Sequence, residues 1–107
     1  NIQVYIVLLF NLGLALHMEG IGNERNSKAS LTKALQFYAL AMSMVAIEWK
    51  DIDPDDLLLL LAVSNNSGHI HSHLMNFAET QKIMVWLRHL MKAYQQYNKR
   101  GKVISDQ

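Results

Sequence analysis

The sequence contains no cysteine, a single proline and only five glycines. Without cysteine the chain has no disulfide, no thiolate metal ligand and no cysteine nucleophile. The lack of cysteine also fits a reducing compartment, and we expect an intracellular, cytoplasmic location. Because helix breakers are so few, long stretches of the chain are free to form helices. Half of the residues are hydrophobic, which is enough to bury the core of one small domain.

A strong net charge of either sign is also missing. Ten basic and nine acidic residues leave a formal charge of +1, so the chain has no overall field that would attract nucleic acid or anionic lipid. The basic residues near the C-terminus are interpreted as charges that solvate a helix end and complement its dipole. They are Lys92, Lys99, Arg100 and Lys102. We therefore expect no nucleic-acid partner.

The longest apolar run, Ile2 to Leu16, carries no charge. Fifteen residues of helix extend over about 22 Å, which is short of the ~30 Å hydrocarbon core of a bilayer. Asn11 and Gly13 interrupt the run, and no basic segment precedes it. The sequence therefore favours a buried helix over a membrane span, and we expect no membrane partner.

The spacing of apolar residues predicts an all-α fold with four helices. The first helix is predicted from Ile2 to about Met18, and residues 19–29 are predicted to form an exposed loop. The second is predicted to begin at Ser30 as its N-cap. Ser30 is followed by apolar residues at helical spacing.

The second half of the chain gives clearer signals for helix ends. Asp53 before Pro54, with two further acidic residues behind, is typical of a helix N-terminus. The third helix is predicted to end near Met75, and Asn76 with Glu79 is predicted to cap the fourth. That helix is predicted to run to about Tyr97, followed by a frayed polar tail.

One helical pattern occurs twice. Leu9-x-x-Leu12-Gly13-x-x-Leu16 is matched by Ser64-x-x-Ser67-Gly68-x-x-His71. Each copy precedes a helix with residues at matching offsets: Ala34, Tyr38 and Ala41 after the first, and Thr80, Met84 and Leu87 after the second. A glycine inside a helix costs about 1 kcal/mol, so its presence in both copies predicts close packing of helix backbones.

These residues resemble the tetratricopeptide repeat family, whose repeat is a 34-residue pair of antiparallel helices. The resemblance implies two helix pairs stacked as a short solenoid over residues 1–98, with repeats at about 5–48 and 54–97 and a polar tail over 99–107. It also implies that the residues at matching offsets hold each repeat together. The chain departs from the family in two respects: its glycines are 55 residues apart, and the first-helix aromatic positions hold Leu9, Leu16, Ser64 and His71.

By the same resemblance, the first helix of each pair lines a groove. The groove positions are Phe10, Leu14 and His17 in the first repeat, and Asn65, His69, Ser72 and His73 in the second. His71 is expected to pack inward against Met84 as a buried, hydrogen-bonded imidazole. Phe10 and Leu14 stand where family members that grip a terminal carboxylate have Lys and Asn. The resemblance therefore implies a groove for an apolar or aromatic segment.

Histidines at positions 69, 71 and 73 raise the question of a metal site. His69 and His73 share a helix face, but a site requires further ligands and the H-E-x-x-H arrangement is absent. No nucleophile motif or phosphate-binding glycine loop is present. We expect no metal, no cofactor and no enzymatic activity.

Helical repeats usually hold partners, so the leading prediction is a scaffold that binds a peptide, a partner subunit or neighbouring repeats. Two repeats are fewer than a solenoid usually needs, which predicts that this chain is a fragment of a longer array or that it self-associates. The first alternative is a structural or oligomerisation four-helix bundle without a groove. The second is a histidine-based metal-binding or enzymatic bundle.

Overall fold

The computed structural model describes residues 2–45 and 52–105, and these residues form four α-helices and no strand. Helix α1 spans Ile2–Gly22, α2 spans Ser27–Ser43, α3 spans Pro54–His73 and α4 spans Phe77–Ser105. A short 3-10 turn at Glu24–Asn26 joins α1 to α2. The predicted all-α class is therefore confirmed.

The helices pack as two antiparallel pairs. Gly13 of α1 lies against Tyr38 of α2, and Gly20, further along α1, lies against the earlier residue Leu31. Contacts in the second pair also run in opposite directions along the chain. Gly68, near the end of α3, meets Ile83 near the start of α4, whereas Leu60 and Leu90 pack together further along α4. The predicted pairing of the helices is confirmed.

The two pairs meet mainly where α2 packs on α3. Leu31, Ala34 and Tyr38 of α2 form one core cluster with Val63 and Ile70 of α3. In the described residues α1 and α4 share no substantial packing, whereas a closed four-helix bundle needs that fourth side. The four helices therefore form an open stack of two pairs.

Residues at the ends of α3 fix its bounds. The Asp53 carboxylate accepts a 2.8 Å hydrogen bond from the Asp55 amide, and Pro54 occupies the first turn, as the sequence predicts. At the other end the Asn76 amide donates to the His71 carbonyl, and the Met75 amide donates to the Ser72 carbonyl. Met75 has a φ of 64°, so these bonds form a left-handed helix cap that reverses the chain into α4.

The end of α1 and the start of α2 differ from the sequence-based predictions. Helix α1 continues to Gly22 and α2 begins at Ser27, so residues 19–29 are mostly helical and Ser30 is a buried helical residue rather than an N-cap. Ser30 is buried next to Leu31, and the packing of that turn on Gly20 extends the helix backward.

The predicted capping pair at the start of α4 is absent. The Asn76 amide group contacts His71, and Glu79 pairs with Lys82. Helix α4 then continues to Ser105, so the prediction of a frayed tail from residue 98 is wrong up to that residue. The end of the predicted first repeat, residues 46–48, lies outside the described residues, as do residues 106 and 107.

Helix α1 is much more exposed than a buried core helix. Its 21 residues are long and apolar enough to cross a membrane by length and composition, and only 22% of its most apolar window is buried. The prediction that this helix ends at about Met18 made it too short, and the expectation that it is buried holds for one face only. Its buried residues are Ile6, Gly13, His17 and Gly20.

Candidate functional site

A histidine of α1 links three helices through hydrogen bonds. His17 is buried, with 6% of its surface exposed. Its Nδ1 atom lies 3.1 Å from the Tyr38 hydroxyl of α2, and its Nε2 atom lies 2.8 Å from Nδ1 of His69 on α3. The side-chain amide of Asn66, also on α3, donates to the Tyr38 hydroxyl at 3.4 Å. This network joins the first helix pair to the second.

One assignment of hydrogens gives every atom of this network a partner. Because Asn66 donates to the Tyr38 oxygen, the Tyr38 hydrogen is available to donate to His17 Nδ1. The hydrogen of His17 then sits on Nε2 and is donated to His69 Nδ1. Asn66, Tyr38 and His17 each donate to the next member of the network. The last acceptor is Nδ1 of His69, a residue that is exposed. Two neutral imidazoles therefore satisfy the network.

Burial alters the proton affinity of His17 and Tyr38, the two inner members of the hydrogen-bond network. Burial lowers the pKa of His17 below its usual value, and the nearby His69 and His73 charges lower it further. Burial raises the pKa of the Tyr38 hydroxyl, an effect that the hydrogen bond from Asn66 partly offsets. Both shifts favour the neutral forms at pH 7, which is the state that the hydrogen-bond chain requires.

An open apolar depression of about 420 Å³ lies directly over this network. His17 and His69 form part of its lining, and the rest comes from the C-terminal half of α1. The α1 residues repeat at helical spacing, so they share one side of that helix. They are Leu14, Met18, Ile21 and Gly22.

The structure brings three of the seven predicted groove residues to this depression. Leu14, His17 and His69 line it. Phe10 lies deeper, half-buried against Tyr38 with ring centroids 5.8 Å apart. The remaining three are exposed on α3 away from the lining: Asn65, Ser72 and His73.

Several residues of the site were not predicted from the sequence. Met18 and Ile21 follow Leu14 at four and seven residues, a spacing that places them on its side of the helix. Asn66 was missed as well, although it precedes His69 by three residues and therefore shares its face. The helical spacing of these residues was a usable signal in both cases.

The predicted packing residues behave differently in the two pairs. In the first pair Gly13, Ala34, Tyr38 and Ala41 are all buried. A Cβ atom at Gly13 would lie 2.7 Å from a ring carbon of Tyr38, so the tyrosine ring packs directly on the backbone of α1 at this glycine.

In the second pair the predicted register of α4 against α3 is wrong by one residue. Ile83, not Met84, packs on Gly68, and Met84 is 50% exposed. A shift of one residue rotates the contact face of a helix by about 100°, which turns Met84 outward. His71 therefore does not pack on Met84, and its Nδ1 atom lies 3.2 Å from the Asn76 amide nitrogen instead. Thr80 and Leu87 are half-buried, and the Thr80 hydroxyl donates to the Asn76 carbonyl.

Two other features of the molecule do not form a comparable site. A larger depression of about 610 Å³ lies on the outer side of α2 and is bordered by Arg25, Lys28 and Lys33. Its walls are exposed, flexible side chains, so it lacks the buried, fixed polar atoms that orient a ligand. In residues 2–45 and 52–105 no group of three or more metal-ligating side chains is placed to hold an ion.

Comparison of the chain with protein-family models, with curated proteins and with solved structures found no match.

Proposed function

We propose that this chain is a non-catalytic, intracellular interaction module, similar in design to tetratricopeptide repeats, that binds an apolar segment of a protein or peptide partner. The observation that supports the proposal is the depression between α1 and α3, with its apolar walls and its hydrogen-bonded histidine pair. The mechanism is burial of one or two apolar side chains of the partner, without a cofactor.

The walls and the histidines have separate roles in this binding mode. A buried aliphatic or aromatic side chain of the partner contributes about 1.5–3 kcal/mol, and the side chains of Leu14, Met18 and Ile21 provide the contact surface. His69 is exposed, and because its Nδ1 atom accepts from His17, its Nε2 atom carries the hydrogen and can donate to a backbone carbonyl of the partner. Polar groups of this kind fix the orientation of a ligand in an apolar site.

The test is to select peptides from a random display library on the wild-type protein and to measure their affinity for variants. Met18 and Ile21 are exposed on the rim of the depression, so Met18→Glu and Ile21→Glu change the site without disturbing the core. The matched control is Leu8→Glu, which adds the same charge at an exposed apolar position of α1 outside the lining.

We expect both rim variants to weaken peptide binding at least about tenfold, which corresponds to the loss of 1.4 kcal/mol, and the control to have no effect. Equal losses in all three variants would mean that peptides bind the apolar surface of α1 in general. Failure to select any peptide that depends on the rim residues would overturn the proposal.

A second candidate function, oligomerisation, is favoured by a different observation. The face of α1 that points away from α2 exposes Val4, Leu8 and Leu12, each at least half accessible, in a segment without charge. Contiguous apolar surface of this kind marks an interaction site. Light scattering over a concentration series tests this function. Self-association through α1 predicts a mass that rises with concentration and returns to the monomer value in Leu8→Glu.

A further inference from the structure

Helix α4 carries an apolar stripe on the side that faces away from the core. Phe77, Met84 and Met91 follow one another at intervals of seven residues and are 67%, 50% and 52% exposed. Seven residues are close to two helical turns, so the three side chains form one row along the helix. This row, which we call the α4 stripe, is separate from the depression between α1 and α3.

A second row at the same interval lies between the stripe and the core. Thr80, Leu87 and Tyr94 follow the stripe residues by three positions and are half-buried. The two rows together repeat with the alternating spacing of three and four that helices use to pack side by side. The core occupies only the far side of the second row, where Tyr94 packs on the cluster of Leu57, Leu60 and Leu90.

The other flank of the stripe is basic. Arg88 lies four residues after Met84 and three before Met91, so it neighbours both on the helix surface. Lys92 and Lys99 continue this flank, and all three side chains are exposed. Between Phe77 and Arg100 the sequence has four Lys and Arg residues besides Lys82 and one acidic residue, Glu79, whose carboxylate pairs with Lys82. A partner that covers the stripe meets positive charge along this side.

We propose that the α4 stripe is a docking surface for an amphipathic helix of a partner protein, with an apolar row facing Phe77, Met84 and Met91 and acidic residues facing Arg88, Lys92 and Lys99. The partner needs acidic residues because the flank of the stripe is positively charged. It needs to be a helix because the stripe residues recur at the interval of seven at which two helices pack side by side. Methionine suits such a surface because its flexible thioether adapts to differently shaped partner side chains.

A membrane surface fits the stripe less well. A helix that lies in a bilayer interface has a broad apolar face, whereas the stripe has one apolar side chain every two turns. The polar residues Gln81, Arg88 and Gln95 lie beside it at the same interval of seven. Immersing the stripe would carry these side chains into the lipid, and a helix partner leaves them in water at the rim.

The experiment measures binding of a synthetic helix of about three heptads, with Leu at the core positions and Glu at the flanking positions. The matched peptide has Lys in place of every Glu. The protein variants are Met84→Glu on the stripe and Val85→Glu as its control, since Val85 is equally exposed but lies about 100° away around the helix. Circular dichroism verifies that each variant is folded.

We expect the acidic peptide to bind and the basic peptide to bind at least about tenfold more weakly. Met84→Glu should weaken binding of the acidic peptide at least about tenfold, and Val85→Glu should leave it unchanged. The double variant Arg88→Glu, Lys92→Glu should reverse the preference, so that the basic peptide binds better. Reversal of preference is a result that mere loss of folding does not produce.

Several outcomes would overturn the proposal. One is absence of binding by the acidic peptide, and another is binding that Met84→Glu and Val85→Glu affect equally. A third is association with phosphatidylserine vesicles that depends on Met84 while the peptide fails to bind, which would assign the stripe to a membrane. A fourth is a concentration-dependent mass that Met84→Glu abolishes in the absence of peptide, which would assign it to a second copy of this chain.

Discussion

His17 of α1 and His69 of α3 share a hydrogen bond of 2.8 Å, with their ring centroids 5.0 Å apart. The two residues are separated by 52 positions in the sequence. Their contact lies at the bottom of the depression that we propose as a partner site. The same two residues therefore connect the helix pairs and form part of the proposed binding surface.

Acid is expected to destabilise the fold through His17. Burial, followed by the charges of His69 and His73, lowers the pKa of His17 in the folded state below the ordinary value of 6.5. As the pH falls below 6.5, the unfolded chain takes up a proton before the folded chain does, so it binds more protons in that range. The contribution of neutral His17 to the free energy of unfolding is therefore fully present above about pH 6.5. This contribution is lost as the pH falls through the pKa of His17 in the folded state. Urea unfolding at a series of pH values measures this slope.

Two variants isolate the contribution of His17 to that slope. His17→Gln removes the titrating group, so we expect it to flatten the pH dependence just below pH 6.5. His89→Gln is the control, because His89 is exposed on α4 and the slope should keep its wild-type value. A wild-type slope in His17→Gln would mean that another group accounts for the acid sensitivity.

Gly13→Ala is expected to destabilise the first helix pair. The added methyl group would lie 2.7 Å from a ring carbon of Tyr38, and Tyr38 is fully buried and hydrogen-bonded to His17. Overpacking of this kind costs about 1–3 kcal/mol. Gly22→Ala is the matched change, because nothing lies within 4 Å of its methyl position and alanine favours the helix by up to about 1 kcal/mol. We expect Gly13→Ala to lower the midpoint temperature of thermal unfolding and Gly22→Ala to raise it. A change in the same direction for both variants would contradict the close approach at Gly13.

Met75→Gly is expected to stabilise the protein by about 0.5–1 kcal/mol. Met75 adopts a φ of 64° and is 73% exposed, so it bears the steric cost of the left-handed conformation without burying its side chain. Glycine removes that cost, and the gain exceeds its larger loss of backbone entropy. Met75→Ala keeps a Cβ atom and should leave the stability unchanged. Chemical denaturation of the three proteins distinguishes relief of backbone strain from loss of the methionine side chain.

Ser64→Ala is also expected to raise the stability. Ser64 is buried in α3, and in the part of the chain that the structure describes its hydroxyl oxygen has no hydrogen-bond partner. An unpaired buried polar group costs about 1–3 kcal/mol, which the alanine removes. Ser72→Ala, at an exposed position of the same helix, corrects for the higher helix propensity of alanine. A gain no larger than that of Ser72→Ala would show that the hydroxyl is already solvated or bonded.

The elements that could be predicted from the sequence are those with strong local signals. Asp53 and Pro54 fix the start of α3 through capping chemistry that needs no tertiary contact. Gly13 indicated a close helix approach because glycine inside a helix has a cost that only packing offsets. The start of α2 could not be predicted, because Ser30 has the sequence signal of an N-cap. In the structure the packing of Leu31 on Gly20 extends the helix to earlier residues.

The candidate site was only partly predictable for a similar reason. The helical period shows on which face of its own helix His17 or His69 lies. It does not show that the two residues are in contact, because the position of α1 along α3 is set by tertiary packing. The one-residue shift that places Ile83 on Gly68 is likewise set by packing. It turned Met84 from a predicted core residue into part of an exposed stripe.

We propose that a partner occupies the depression between α1 and α3. The most direct measurement is NMR of the isotope-labelled protein during titration with a peptide selected from the library. We expect shifts confined to the residues around the depression, with those of His69 and Ile21 among the largest, and an altered imidazole resonance of His17. Shifts confined to the outer face of α1 or to α4, with His17 and His69 unchanged, would contradict it.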